Sequence, residues 1–289
     1  MAFVVESTST NTADNSTTVA ITKPSGVTSG ELMVAILSVQ AIGVSTIATL
    51  SGWTSAVNQT STRTGGVSIQ YKVAGDSEPA NYTFTASAAG EFSGAIVRLS
   101  GNAPSDFLVG TDGYTANSVN SATISDTASI TPVYDGSFVI MNFVGRGASS
   151  DFTTRTIDGY NTTPAITFTE LYDVSEPGSN PRQAGAAYGI QTTAAEITQY
   201  GAEFSVSRAD HLASIAVFHP PTSFTGSNNV TSTTTTTFSP SDVLVDVNGV
   251  TNTLTETTSE TFAQSGRGEA PQQWSNEAKP STTWNNEPK

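Results

Sequence analysis

The chain has no cysteine and only two histidines, His211 and His219, in 289 residues. The first absence excludes a disulfide framework and any thiolate chemistry. With so few soft ligands, a zinc site would have to be completed by carboxylates from distant positions, so neither a metal nor a cofactor is expected, and both histidines read as surface or strand-end residues. Positive charge is also scarce: Lys and Arg together number 11 against 25 Asp and Glu, a formal net charge of −14. Such a surface has little with which to displace counterions from phosphate, which argues against nucleic acid and against an anionic membrane as partners. Long apolar runs are missing too. The longest, Leu32 to Leu37, falls far short of the roughly 20 residues that cross a bilayer. The opening Met1-Ala-Phe-Val-Val-Glu6 lacks a basic n-region and its apolar stretch stops at Glu6, so no secretory leader is expected.

What the chain does have is Thr, Ser, Gly, Asn and Ala around a 36% hydrophobic content, a composition suited to strands and turns more than to helices. Strict alternation, the mark of a strand with one buried face, recurs through the first 220 residues. In Ser68 to Val73 the inward set is Ile69, Tyr71 and Val73; in Tyr82 to Ser87 it is Tyr82, Phe84 and Ala86; in Ala202 to Ser207 it is Ala202, Phe204 and Val206, with Glu203 toward water. Two continuous apolar runs, Leu32 to Leu37 and Phe138 to Val144, predict central strands covered on both faces. Turn chemistry falls at Lys23-Pro24-Ser25-Gly26, Thr64-Gly65-Gly66, Ser100-Gly101-Asn102, Tyr134-Asp135-Gly136 and Asp158-Gly159. The fold class expected is all-β: an antiparallel β-sandwich, jelly-roll-like, occupying residues 1–221.

This body repeats itself weakly. Ile21 to Leu37, with Pro24 and Gly30 ahead of an apolar strand, matches Ile130 to Val144, with Pro132 and Gly136. Tyr71 and the turn Asp76 to Pro79 are set against Tyr172 and Asp173 to Pro177. Gly94 to Leu99 is set against Ala213 to Phe218. The intervals, about 106 residues at the first pair and about 119 at the last, suit two related halves, 1–103 and 104–221, and not a solenoid. One sandwich of two half-motifs and two packed sandwiches are both compatible with this pattern.

Past His219-Pro220-Pro221 the character changes. Eight of the sixteen residues from Thr222 to Thr237 are Thr, and residues 222–240 read as a linker spanning roughly 20 to 25 Å if flexible. Residues 241–289 form an arm. It opens with a hairpin candidate, Val243 to Leu254, turning at Asn248-Gly249, and a hairpin alone is marginal in water. It closes with a short repeat, Trp274-Ser275-Asn276-Glu277-Ala278-Lys279-Pro280 and Trp284-Asn285-Asn286-Glu287-Pro288-Lys289. Two tryptophans in a polar, extended tail have no local core, and large aromatics of this kind anchor in pockets on partners. Trp274, Asn276, Glu277, Lys279, Trp284, Asn286, Glu287 and Lys289 are therefore the expected partner-binding residues.

Catalytic readings do poorly. No Gly-x-Ser-x-Gly elbow occurs, and Gly145-Arg146-Gly147-Ala148-Ser149-Ser150 lacks the final Gly of a dinucleotide fingerprint. A glycosidase needs two carboxylates facing one sugar, yet Glu78, Glu91, Glu170, Glu176, Glu196 and Glu203 are scattered over turns and strand faces expected to be solvated. Asp76-Ser77-Glu78 and Asp242 to Asn248 could gather oxygens for calcium, but aligning Gly249 to the invariant Gly of an EF-hand puts Leu244 first and Thr255 last, which excludes that motif.

The stretch Ile21-Thr22-Lys23-Pro24-Ser25-Gly26-Val27 through Gly30-Glu31-Leu32, then Gly52-Trp53-Thr54, Tyr71-Lys72-Val73-Ala74, Ser77-Glu78-Pro79, Tyr82-Thr83-Phe84 and Gly94-Ala95-Ile96, resembles a β-rich module of bacteriophage virion proteins. The Trp-x-Asn-Glu-x-Lys-Pro tail likewise resembles short repeats closing phage fibre-type and accessory structural proteins. This resemblance implies a non-enzymatic virion component of the head-decoration or tail-fibre type, assembled in the host cytoplasm and carrying no active site. Its expected partners are other copies of itself, with a trimer preferred because identical chains wrapping one another would best cover the Thr-rich stretch and hairpin, and neighbouring virion proteins. The alternative is a module that recognises a host-surface glycan, with Trp53 and Tyr160 as its turn-borne, solvent-facing aromatics; a third, a polysaccharide glycosidase, requires two carboxylates in one cleft.

Overall fold

The computed structural model describes residues 3–41, 43–102, 107–147, 157–176 and 182–220. The Thr-rich linker, the hairpin candidate and the tryptophan repeats lie outside the described residues. Those described are all-β and antiparallel, in a single unit that runs to Thr222. The strands are β1 (Val5–Thr22), β2 (Glu31–Gln40), β3 (Thr54–Ser61), β4 (Gly65–Val73), β5 (Asn81–Asn102), β6 (Leu108–Ile130), β7 (Ser137–Gly147), β8 (Ile157–Thr163), β9 (Phe168–Glu176), β10 (Arg182–Gln191) and β11 (Ile197–Phe218).

The first five strands form one sheet in the order β1-β5-β2-β4-β3, and the rest form a second in the order β6-β11-β7-β10-β9, with β8 added beside β11. Set β8 aside and the two orders are the same permutation. Even β8 has a first-half counterpart, because Ile47 bridges Ala86 of β5 where β8 pairs with β11. Gly30 and Gly136 open the two central strands, both with positive φ (89° and 80°). Their N–H groups donate to equivalent carbonyls, Gly30 to Ala74 at 2.7 Å and Gly136 to Gln191 at 2.8 Å. A left-handed backbone at this junction is open to glycine at no steric cost.

Register confirms two of the three sequence correspondences and corrects the other. β2 answers to β7, and the ends of β5 and β11 answer to each other, Leu99 lying opposite Leu32 as Phe218 lies opposite Phe138. Tyr71, however, sits opposite Val34, and the residue in that place in the second half is Tyr188, opposite Ile140. Tyr172 belongs to β9, the counterpart of β3. The mismatch arises because the second half carries an additional tyrosine, Tyr172, on the strand before that of Tyr188, which feature order alone does not separate.

The long strands change layer partway. β1 shifts register between Ala13 and Thr18, around Asn15 at φ 44°, and β11 shifts between Glu203 and Arg208. Bulges of this kind bend a strand and increase its twist. Beyond them, Thr18 to Thr22, Asn81 to Ser87 and the bridge at Ile47 lie over the outer face of the first sheet. There Val19, Ile21, Met33, Leu37, Trp53, Phe84 and Phe92 form one apolar core. Ile124, Met141, Phe143, Ile157, Tyr200 and Ile215 form the matching core of the second half. The opposite faces of the two sheets meet in a third core, where Leu32, Val34, Ile36 and Val97 pack against Phe138, Ile140, Leu212 and Phe218. Each half is thus two-layered and the halves pack face to face, the second of the two arrangements compatible with the sequence.

Being sandwiched twice, β2 is buried along its whole length, as is β7 from Ser137 to Gly145. Both apolar runs are therefore doubly covered, as their composition predicts. The same layering corrects the reading of β4: Ser68 and Gln70, expected toward water, are fully buried. The loop crossing that face takes up Gln70, whose Nε2 donates to Ala48 O at 3.0 Å and whose Oε1 accepts from Leu50 N–H at 3.0 Å. Two predicted turns are also strand: Ser100 to Asn102 closes β5, and Gly159 lies inside β8 opposite Glu203.

Candidate functional site

The residues expected to hold a partner, Trp274, Asn276, Glu277, Lys279, Trp284, Asn286, Glu287 and Lys289, lie outside the described residues. Neither of the two aromatics considered for sugar stacking is fully exposed. Trp53 is 6% exposed, edge-on to Tyr82 and Phe84 at ring distances of 5.2 and 5.6 Å. Tyr160 lies on β8 with its hydroxyl buried and its ring 5.8 Å from that of Phe143. Trp53 is a core residue, and Tyr160 is half-buried against the core of the second half. His211 is likewise no surface residue: it is 1% exposed in mid-strand, and its Nε2 lies 3.1 Å from Ser121 O. His219 does end its strand, 5.2 Å ring to ring from Tyr134.

The carboxylates are engaged more than the sequence suggested. Glu78, expected to be solvated, is the hub of a corner in the first half. It accepts from Lys72 Nζ at 2.8 Å, Tyr82 Oη at 2.6 Å and Gly75 N–H at 2.6 Å. Burial acts to raise its carboxyl, but these donors outweigh burial and hold it below the usual range. Both its oxygens are thus bonded within the corner. Glu31 is similar: burial opposes ionisation, yet Arg98 grips it with Nε and Nη2, each at 2.8 Å, and Thr28 N–H adds a third bond at 2.7 Å. The net effect is again a lowered pKa. Glu196 accepts from Ser129 Oγ at 2.8 Å, and Glu203 is exposed. Among the described residues no group of three His, Asp or Glu is placed to hold a metal ion.

Polar side chains inside the layer between the halves tie them together. Ser38 Oγ and the Tyr172 hydroxyl are 2.8 Å apart, and Asn142 Nδ2 donates to Leu37 O at 2.8 Å. Ser214 Oγ donates to Asn142 Oδ1. Asp210, fully buried on β11, meets Arg146 at 3.1 Å and Arg63 of the first half at 3.5 Å. The signal was present in the sequence as one Asn within the run Phe138 to Val144 and one Ser just after Leu37, and neither was singled out.

One open pocket, of about 330 Å³, lies at the corner of the second half between the β8–β9 and β10–β11 connections. Pro164, Ile166 and Ile190 line its apolar side, and Thr192, Thr193 and Gln191 its polar side. Gln191 is 3% exposed; its Nε2 donates to Ala195 O at 2.9 Å, and its Oε1 is buried with no partner. The carbonyl of Ala195 can only accept, which fixes the orientation of the amide. No ionisable side chain lines the pocket. The groups it presents are hydroxyls and an apolar wall.

Comparison with known protein families, with curated proteins and with solved structures gave no match.

Proposed function

We propose that this protein is a non-enzymatic structural component of a bacteriophage particle, of the head-decoration or tail-fibre type, that assembles through residues 241–289. What supports this is the construction of the body: two halves of one strand order share a continuous apolar layer and are cross-tied by Ser38, Tyr172, Asn142 and the Arg63–Asp210–Arg146 cluster. A body whose two sheets share one core resists separation of its parts, which suits a component of a particle. The tail supplies the complementary part, two tryptophans in polar surroundings that need another surface to cover them.

The experiment compares the full chain with one lacking residues 270–289, by light scattering behind size exclusion and by incorporation into particles. The expected result is loss of oligomers and of incorporation, with the melting transition of the body unchanged. Wild-type oligomerisation of the truncated chain would refute the role given to the arm.

Recognition of a host glycan remains the second reading, favoured by the corner pocket. It does not run through Trp53, which is buried, and Tyr160 is half-buried with its hydroxyl closed off from solvent.

A further inference from the structure

The two halves share a topology, so register shows what each has at the same place. In the first half the β4–β5 corner is filled. Lys72, opposite Met33, reaches Glu78, which also holds Tyr82 and Gly75. In the second half the place of Lys72, opposite Val139, is taken by Gly189. A side chain cannot enter there, because a Cβ on Gly189 would lie 2.7 Å from both Ile166 Cγ2 and Thr167 O. The β10–β11 connection offers Ala195 toward the corner, while its one carboxylate, Glu196, is turned to Ser129. Where the first half has an ion-pair plug, the second has the 330 Å³ pocket.

We infer that this pocket is a binding site for a small neutral polyhydroxylated ligand: one sugar residue, free or within a glycan. This deepens the second reading and does not depend on the assembly role. The volume lies at the small end of the range for ligand pockets, about 300 to 1,000 Å³. Without an ionisable group in the lining, a charged ligand would lose hydration and gain no counter-charge, so the ligand is neutral. The amide oxygen of Gln191 is closed off from this space, so the polar groups a ligand meets are the hydroxyls of Thr192 and Thr193. Both are at the exposed rim and donate or accept as the ligand's hydroxyls require. Pro164, Ile166 and Ile190 face the C–H side of such a ring, and the methyl groups of the two isoleucines give the site a direct reporter.

The test is saturation-transfer NMR on the full-length chain, irradiating its methyl groups, with neutral methyl glycosides (glucoside, galactoside, N-acetylglucosaminide) and with glucuronate, each at about 10 mM to suit millimolar binding. An array of immobilised neutral glycans forms a parallel arm. Transfer to at least one neutral saccharide is expected. It should be lost in Thr193→Trp and Ala195→Trp, which fill the pocket, and unchanged in Asp76→Trp, which alters the exposed corner of the first half. Binding on the array alone, lost in Thr193→Trp, supports the site and identifies its ligand as a residue within a glycan; binding of the free glycosides identifies the single sugar. The inference is overturned if no neutral saccharide binds in either arm, if Thr193→Trp and Ala195→Trp bind as wild type does, or if glucuronate binds better than its neutral counterpart. Removing residues 270–289 should leave the signal intact, so failure here and failure of the assembly role are told apart.

Discussion

Replacing Tyr172 by Phe removes one oxygen from the layer between the halves. Tyr172 is 7% exposed and Ser38 fully buried, so the 2.8 Å contact between their hydroxyls has no competing bulk water. Loss of a typical hydrogen bond costs about 1 kcal/mol, and stranding its partner in a dry layer brings the cost to about 1 to 3 kcal/mol. Tyr172→Phe should therefore lower the unfolding free energy by about 2 kcal/mol, a sizeable part of the roughly 5 to 15 kcal/mol that holds a domain together. Ser38→Ala should cost less, about 1 kcal/mol, because the Tyr172 hydroxyl keeps Asn142 as a hydrogen-bond partner. With both changed no polar group is left stranded, so the double variant should be no worse than Tyr172→Phe, a coupling of about 1 kcal/mol. Urea titrations of the four proteins, followed by fluorescence and circular dichroism, measure this cycle. Because the shared core draws from both sheets, the body should unfold in one transition. A coupling within about 0.3 kcal/mol of zero, or two resolved transitions, would refute the cross-tie.

Acid–base behaviour and backbone geometry give two further expectations. In the second half Asp126 of β6 stands opposite Tyr200 of β11. Burial raises its pKa above 3.8; the Thr127 N–H works against this, and nearby Asp112 adds to the rise. A carboxyl raised on folding favours the native state when protonated, so its contribution is complete below 3.8 and is lost as pH climbs to its native value. Asp126→Asn should therefore gain on the wild type across that window and hold a constant difference above it, as urea midpoints from pH 3 to 7 will show; a difference that shrinks with pH contradicts this. Gly65 and Gly43 both have positive φ, 107° and 98°, but a Cβ on Gly65 collides with the Val39 carbonyl whereas one on Gly43 meets nothing within 4 Å. Gly43→Ala should cost about 1 to 2 kcal/mol from backbone strain alone, and Gly65→Ala more than about 3 kcal/mol. Equal melting temperatures for the two variants would show that the collision is relieved by movement.

Much of the fold was legible because burial on a pleated surface leaves a period of two. Tyr82, Phe84 and Ala86 are buried and the intervening Thr83, Thr85 and Ser87 exposed, while Ala202 and Phe204 point inward and Glu203 outward. Alternation failed at β4, where a second layer covers the face of Ser68 and Gln70; a local pattern reports polarity, and polar groups are buried wherever a crossing loop supplies partners. Strand length was hidden too. β1 is 18 residues long and β5 is 22, yet their Thr-, Ser- and Ala-rich centres carry few large apolar residues to mark them. The corner pocket was not legible at all, since it depends on Gly189 standing in the place of Lys72, and that comparison needs the strand register.

The repeated strand order has a consequence for how the molecule can change. A homodimer assembled from two copies of one such half would suffer every substitution twice, so its corners would be sealed together or opened together. A single polypeptide holding both is free of that constraint. It can keep one corner closed and leave the other vacant, and a difference between the two corners is something covalent fusion permits.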